Sequence, residues 1–150
     1  MKSPVLIQAD LIGTTDQPAA PRLLPVLAEL HQTGVPLLLL SARPDHWAPT
    51  RNRVDRVFLR QADIEADLRR AGGALDAIVY LDFGLFSRRR QHERNLADIA
   101  NRYGCKLEDL HLITRPGRMY DALKPLVGDV SLIEQDGDVE AAIREQVRNG

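Results

Sequence analysis

The chain of 150 residues has a single cysteine, Cys105, and its net charge is only −1. One cysteine excludes an intramolecular disulfide and a metal site built from cysteines. A net charge near zero gives no general attraction for nucleic acid or for an anionic membrane. The sequence also lacks a long apolar run and a recognisable cleavable leader, so we expect a cytoplasmic protein with no membrane partner.

What the sequence does contain is a series of short apolar runs that alternate with helical patterns. The runs have the composition of buried strands and lie at residues 5–9, 36–40, 77–81, 110–113 and 130–133. Five such strands predict a three-layer, Rossmann-like α/β fold, with an open parallel sheet and helices on both faces. The length predicts one domain over residues 1–150.

The predicted helices lie between these strands. Leucines at helical spacing follow Pro21 as far as Gln32, and residues 95–103 form an amphipathic pattern. The arginine-rich stretch 45–71 predicts two short helices, or a helix and a weak strand around residues 57–59. Several strands end at polar residues, and the ligands of such sheets bind beyond the carboxyl ends of the strands.

The first predicted strand and the residues that follow it read VLIQADLIGTT (residues 5–15). This segment resembles the first motif of the haloacid dehalogenase-like (HAD) superfamily. That motif is an apolar strand followed by Asp-x-Asp-Gly-Thr. With the nucleophile at Asp10, the glycine and Thr14 match, but Ile12 stands at the second acid. The alternative alignment puts Gln8 at the nucleophile and Asp10 at the second acid, and it loses the Gly-Thr match. We prefer the first alignment, and either one lacks one of the two carboxylates.

The resemblance is closest to the small, nearly capless branch that includes heptose-bisphosphate phosphatases and the phosphatase domains of polynucleotide kinases. Segments such as GGALDAIVYLDF carry it, and the short link between the first two strands leaves no room for a large cap. In that family a Ser or Thr after the second strand binds the phosphoryl group, and a lysine neutralises it. The resemblance implies that Ser41 binds phosphate, with Arg90 in place of the lysine. The further ligands would be Thr14, Arg43 and Arg115.

The fourth motif departs most from the family, which has an acidic Mg²⁺ ligand after the fourth strand. Here Thr114 and Arg115 follow that strand. A guanidinium repels a divalent cation and can replace it, so we expect Arg115 to lie close to Asp10 or to form a salt bridge with it. An alternative fourth motif would restore metal ligands beside Asp10 from a later loop: Glu134, Asp136 and Asp138.

These departures predict a degenerate phosphatase-type domain, non-catalytic or strongly impaired, with an anion-binding crevice and no cofactor. Its partner would be a small phosphorylated ligand or a protein. The alternative is an active Mg²⁺-dependent phosphohydrolase of a sugar phosphate or nucleotide, with Asp10 as nucleophile. A second alternative is a nucleic-acid-associated module using the arginines of residues 43–60, against which the near-zero net charge weighs.

Overall fold

The computed structural model describes residues 2–13, 19–42, 51–83 and 88–149, with the backbone alone over 51–58. Five strands lie within these residues: β1 (Val5–Gln8), β2 (Leu37–Ala42), β3 (Ala77–Leu81), β4 (His111–Thr114) and β5 (Asp129–Leu132). The α-helices are α1 (Leu23–Gln32), α2 (Arg51–Arg70), α3 (Arg89–Arg102), α4 (Arg118–Leu123) and α5 (Asp138–Asn149). Short 3₁₀ helices lie at Ala9–Leu11 and Leu107–Asp109.

The five strands form one parallel sheet in the order β3-β2-β1-β4-β5. The first strand is central: Leu6 lies opposite Leu38 of β2 and opposite Leu112 of β4. The predicted α/β fold, with β1 between β2 and β4, is therefore confirmed. The strand order reverses direction at β1, which places a crevice between the carboxyl ends of β1 and β4.

The sheet divides the core into two layers. One layer, which includes Ile7 and Leu39, lies between the sheet and helices α1, α2 and α5. The other layer, which includes Leu6 and Leu38, lies between the sheet and helices α3 and α4. Successive residues of a strand point to opposite faces. Since both faces of β1 and β2 are covered, these strands are apolar at nearly every position.

Two helices differ from their predicted extents. Residues 51–70 form one continuous helix, so the prediction of two short helices, or of a strand at 57–59, was wrong. The buried side chains of Ile64 and Leu68 continue one helical stripe, which overrides the local strand propensity of the apolar run before them. Helix α3 begins at Arg89 rather than near residue 95, because buried His92 extends its apolar face by one turn.

The amino edge of the sheet is closely packed. The turn before β5 passes directly over the segment before β4, and a Cβ atom on Gly128 would overlap the carbonyl oxygen of Glu108. The absence of a side chain at Gly128 is therefore what permits this approach. No helix among the described residues is long and apolar enough to cross a bilayer.

Candidate functional site

The last residue of the central strand is Gln8, and its side-chain amide connects β1 to β4. The amide oxygen Oε1 accepts hydrogen bonds from the Thr114 hydroxyl at 2.6 Å and from the Arg115 backbone N–H at 2.9 Å. The amide nitrogen Nε2 donates to Asp10 Oδ2 at 3.2 Å. A backbone N–H can only donate, so the orientation of the amide is fixed. Gln8 thus holds the carboxyl ends of β1 and β4 together.

Asp10 lies in the 3₁₀ turn that follows β1, two residues beyond the end of the strand. Its Oδ1 is 3.5 Å from Nε of Arg115, which confirms the predicted salt bridge. Nη1 of the same guanidinium is 2.8 Å from Asp136 Oδ1, in the loop between β5 and α5. Arg22 donates to the backbone carbonyl of Asp136 at 3.0 Å. We call the trio Asp10, Arg115 and Asp136 the arginine bridge.

The arginine bridge lies at the surface. The exposed fractions of its side chains are 49% for Asp10, 36% for Arg115 and 74% for Asp136. Ion pairs that exposed are screened by water and typically contribute about 0–1 kcal/mol each. The arginine bridge therefore fixes the positions of these three charged side chains and contributes little to the stability of the fold.

Ile12, which the preferred alignment places at the second acid, does not face this crevice. Its side chain is 2% exposed and packs in the core layer that α1 and α5 cover. Its carbonyl oxygen accepts a hydrogen bond from the Ala20 N–H at 3.0 Å, which holds the backbone in place. A carboxylate at this position would be buried among apolar side chains, at a high desolvation cost.

Of the other predicted phosphate ligands, the structure describes Ser41 and Arg90. Ser41 is half-buried near the end of β2, one residue beyond the strand partner of Gln8. Arg90 is exposed in the first turn of α3 rather than in a loop. No contact joins either side chain to the arginine bridge among the described residues, so their role in binding stays a prediction. Thr14 and Arg43 lie outside the described residues, as do the side chains of 51–58.

Among the residues that the structure describes, the acids at the carboxyl edge do not fit a magnesium site. Mg²⁺ requires near-octahedral oxygen ligation, and the described part of the chain contains no group of three or more His, Cys, Asp or Glu residues that could hold a metal ion. Of the three acids in the alternative fourth motif, only Asp136 contacts the site, and it contacts a guanidinium. Glu134 and Asp138 are exposed, and Asp138 begins α5.

One buried histidine, His92, and one half-buried histidine, His111, were not predicted. His92 is 3% exposed and stacks on Phe83 beyond the end of β3, with ring centroids 4.9 Å apart. Burial lowers the pKa of His92, and Asp82 partly opposes that shift. Nδ1 of His92 has no hydrogen-bond partner among the residues that the structure describes. The spacing of His92 from Leu96 and Ile99 was the available signal, because it continues the apolar stripe of α3.

His111 lies at the opposite, amino edge and is the centre of a second polar cluster. Its Nδ1 is 3.2 Å from Asp129 Oδ2, and its Nε2 is 2.8 Å from Ser131 Oγ and 3.2 Å from Gln146 Nε2. The Gln146 nitrogen only donates, so Nε2 accepts and Nδ1 carries the proton toward Asp129. Burial lowers the pKa of His111, and Asp129 and Glu145 partly oppose the shift. This cluster ties α5 to β4 and β5.

The sheet order, the helices on both faces and the polar crevice at the carboxyl edge define a three-layer, Rossmann-like α/β domain. No protein-family model matches the chain, and no curated protein matches it. Among solved structures it is similar to D,D-heptose 1,7-bisphosphate phosphatase from B. bronchiseptica, complexed with magnesium and phosphate. The identity is 16%, the TM-score is 0.70, and the match covers 100% of both chains.

The corresponding phosphatase from Burkholderia thailandensis is 15% identical, with a TM-score of 0.62 and coverage of 96% of this chain and 99% of that one. A HAD-like phosphatase structure from Mesorhizobium loti is 12% identical, with a TM-score of 0.68 and coverage of 97% and 87%. At such identities the similarity establishes the fold alone. The chain therefore shares the fold of these three solved structures.

Proposed function

We propose that this domain is a phosphatase-type fold that has lost phosphoryl-transfer chemistry and acts by binding a small phosphorylated ligand or a protein. The observation that carries the proposal is Gln8. The end of the central strand is where an aspartyl nucleophile would have to stand, and an uncharged amide stands there instead. The geometry thus favours the alignment of Gln8 with the nucleophile and of Asp10 with the second acid.

Gln8 is unsuited to attack phosphorus. Covalent catalysis by a carboxylate depends on its negative charge, and an amide oxygen has none. The lone pairs of Oε1 are also occupied by hydrogen bonds from Thr114 and Arg115. Asp10 could protonate a leaving group in this alignment, but no covalent intermediate would form for it to act on.

The other alignment gives the same outcome. If Asp10 were the nucleophile, its proton carrier would be Ile12, which is buried in the core. Loss of general acid–base catalysis alone typically costs about 10²–10⁴-fold in rate. The Asp10 carboxylate is also paired with Arg115, where a metal-dependent mechanism would need a metal ion. We expect either arrangement to give turnover close to background.

The carboxyl edge of the sheet can still bind an anion in this proposal. We propose that Ser41 and Arg90, with Thr14 and Arg43, hold the phosphoryl group of the ligand. Arginine binds phosphate well because its planar donors engage two oxygens at once. Arg90 also lies in the first turn of α3, where unpaired backbone N–H groups favour an anion.

The catalytic part of the proposal is tested by phosphate release. The wild type, Asp10→Asn and Gln8→Asp would be assayed with magnesium over a panel of sugar phosphates and nucleotides. We expect the wild type to match Asp10→Asn, with no magnesium-dependent turnover. Robust magnesium-dependent release that disappears in Asp10→Asn would overturn the proposal and establish an active phosphohydrolase of small phosphate esters.

The binding part is tested with inorganic phosphate and the same sugar phosphates by calorimetry in EDTA. We expect Arg90→Ala and Ser41→Ala each to weaken binding at least tenfold. Arg102→Ala is the matched control, because Arg102 is an exposed arginine in the last turn of the same helix. Equal affinities for Arg90→Ala and Arg102→Ala would contradict the proposed phosphate site.

A further inference from the structure

A serine, a histidine and an aspartate lie in series at the amino edge of the sheet. Ser131 Oγ is 2.8 Å from His111 Nε2, and Asp129 Oδ2 is 3.2 Å from His111 Nδ1. The strand register explains the arrangement, because His111 of β4 lies opposite Asp129 of β5. Ser131 follows two residues later on β5, and side chains two residues apart on a strand share a face. One imidazole thus contacts a hydroxyl and a carboxylate through different nitrogens.

The imidazole of His111 is held in the tautomer that can accept a proton from the serine. Gln146 Nε2 lies 3.2 Å from His111 Nε2 and can only donate, so Nε2 is the acceptor and Nδ1 carries the proton. Of the two contacts to Nε2, the one with Ser131 is the shorter. Asp129 accepts the Nδ1 proton and can stabilise the imidazolium that forms when the hydroxyl is deprotonated.

Ser131 can be reached from outside the sheet. Among the described residues β5 is an edge strand, and Ser131 is half-buried rather than enclosed. Asp129 and Ile133 donate their backbone N–H groups toward β4, so the N–H of Leu132 points to the open side of β5. In α/β-hydrolases the N–H of the residue after the nucleophile helps to bind the oxyanion of acyl transfer. The N–H of Leu132 occupies the corresponding position after Ser131.

We propose that Ser131, His111 and Asp129 form a second reactive site, which hydrolyses small carboxylic esters. Ser131 Oγ bonds to the carbonyl carbon while its proton moves to His111 Nε2. The bond to the leaving alcohol breaks, and the alcohol takes that proton. Water then attacks the acyl carbon, its proton passes through Nε2 to Ser131 Oγ, and the acid is released. Asp129 touches no reacting atom and is a positioning residue. This site is separate from the proposed function, which concerns the opposite edge of the sheet.

The acylation step is tested with p-nitrophenyl acetate, whose hydrolysis releases a coloured alcohol. Wild type, Ser131→Ala and Thr33→Ala would be compared after subtraction of the rate in buffer alone. Thr33→Ala is the matched control, because Thr33 has a half-buried hydroxyl that donates to the Leu30 carbonyl oxygen instead of to a histidine. We expect Ser131→Ala to lower the rate at least tenfold and Thr33→Ala to change it less than twofold. Mass spectrometry of peptides should find the acetyl group on Ser131. A wild type no faster than Ser131→Ala would overturn the inference.

A second measurement needs no ester. In Ser131→Cys with Cys105→Ser, iodoacetamide alkylates only the new thiol, because Cys105 is the single native cysteine. The rate of alkylation against pH gives the pKa of that thiol. A histidine that takes the proton lowers a thiol pKa below the usual value of about 8.5. We expect His111→Gln, added to this variant, to raise the thiol pKa and to slow alkylation at pH 7 at least tenfold.

The same variant separates a reactive cluster from one that only joins the strands. Equal thiol pKa values with His111 and with glutamine would show that the histidine is structural, and would contradict the proposal. Circular dichroism checks that each variant folds. If the glutamine variant does not fold, Asp129→Asn replaces it, because asparagine cannot neutralise the imidazolium. Asp129→Asn should also raise the thiol pKa, and an unchanged value would count against the site.

Discussion

The two edges of the sheet carry polar clusters that are built differently. At the carboxyl edge, Asp10, Arg115 and Asp136 come from segments beyond the strands and are well exposed. At the amino edge, His111 and its partners lie within β4, β5 and α5, and the His111 side chain is only 12% exposed. Residues beyond the strands can change with little effect on the core. The polar groups at the carboxyl edge can therefore change while the fold itself remains.

The largest expected difference between the edges concerns two glycines. Gly128 lies at the packed amino edge, where a Cβ atom would overlap the backbone of Glu108. Gly137 directly follows Asp136, and apart from its two chain neighbours no atom of the described residues is within 4 Å of a Cβ placed there. We expect Gly128→Ala to lower the free energy of unfolding by about 1–3 kcal/mol or more, because the backbone would have to move.

Gly137→Ala is the control for that substitution, and we expect a change within about 1 kcal/mol, in either direction. Urea denaturation of both variants, followed by circular dichroism, measures the two free energies of unfolding. If Gly128→Ala were as stable as Gly137→Ala, the two edges would not differ in packing as the structure indicates.

A smaller effect is expected from pH at the amino edge. Burial lowers the pKa of His111 below the usual 6.5, so the unfolded chain takes up a proton before the folded chain does. The stability associated with neutral His111 is therefore complete above that value and is lost as the pH falls below it. The loss is at most about 1.4 kcal/mol per pH unit.

Replacing the histidine should remove this contribution. We expect the free energy of unfolding of His111→Gln to fall less than that of the wild type between pH 7.5 and pH 5.5. Glutamine can still hydrogen-bond at the site, yet it does not titrate. Urea denaturation at several pH values measures how the free energy of unfolding of each protein changes with pH. Identical pH dependences would show that His111 does not titrate differently in the folded and unfolded states.

The smallest effect is expected at the carboxyl edge itself. Asp136→Asn removes one charge of the arginine bridge, and the Asp136 side chain is 74% exposed. We expect its free energy of unfolding to fall by no more than about 1 kcal/mol. Chemical denaturation at low and high salt is the measurement. A larger loss, or one insensitive to salt, would mean that the bridge contributes to the fold more than its exposure suggests.

The sheet could be predicted from the sequence because its strands are short apolar runs, and the three inner strands β1, β2 and β4 are buried at most positions. A continuous apolar run such as 77–81 predicts a strand, and β3 has the predicted bounds. Helix ends were harder to predict, because they depend on tertiary contacts. The first turn of α3 contains His92, whose spacing from Leu96 and Ile99 fits the apolar stripe but whose burial depends on its tertiary contact with Phe83.

The site was predicted only in part. The pairing of Arg115 with Asp10 was expected because Arg115 stands where the resemblance places an acidic metal ligand, and the structure has this pairing. Asp136 was considered as a metal ligand, and its contact with Arg115 depends on the path of the loop after β5. The choice between Gln8 and Asp10 rested on a Gly-Thr match. The end of β1 is instead set by pairing with β2 and β4, which a single motif does not encode.

The central position of β1 also has a consequence for the order of folding. The hydrogen bond between Gln8 and Thr114 spans 106 residues. One edge of β1 therefore cannot pair until β4 has been synthesised. During synthesis β1 can pair with β2 early, while its other edge stays open until β4 has emerged. Pairings so distant in sequence fold slowly, and open strand edges invite aggregation. The nascent chain thus carries an unpaired apolar edge through most of its synthesis.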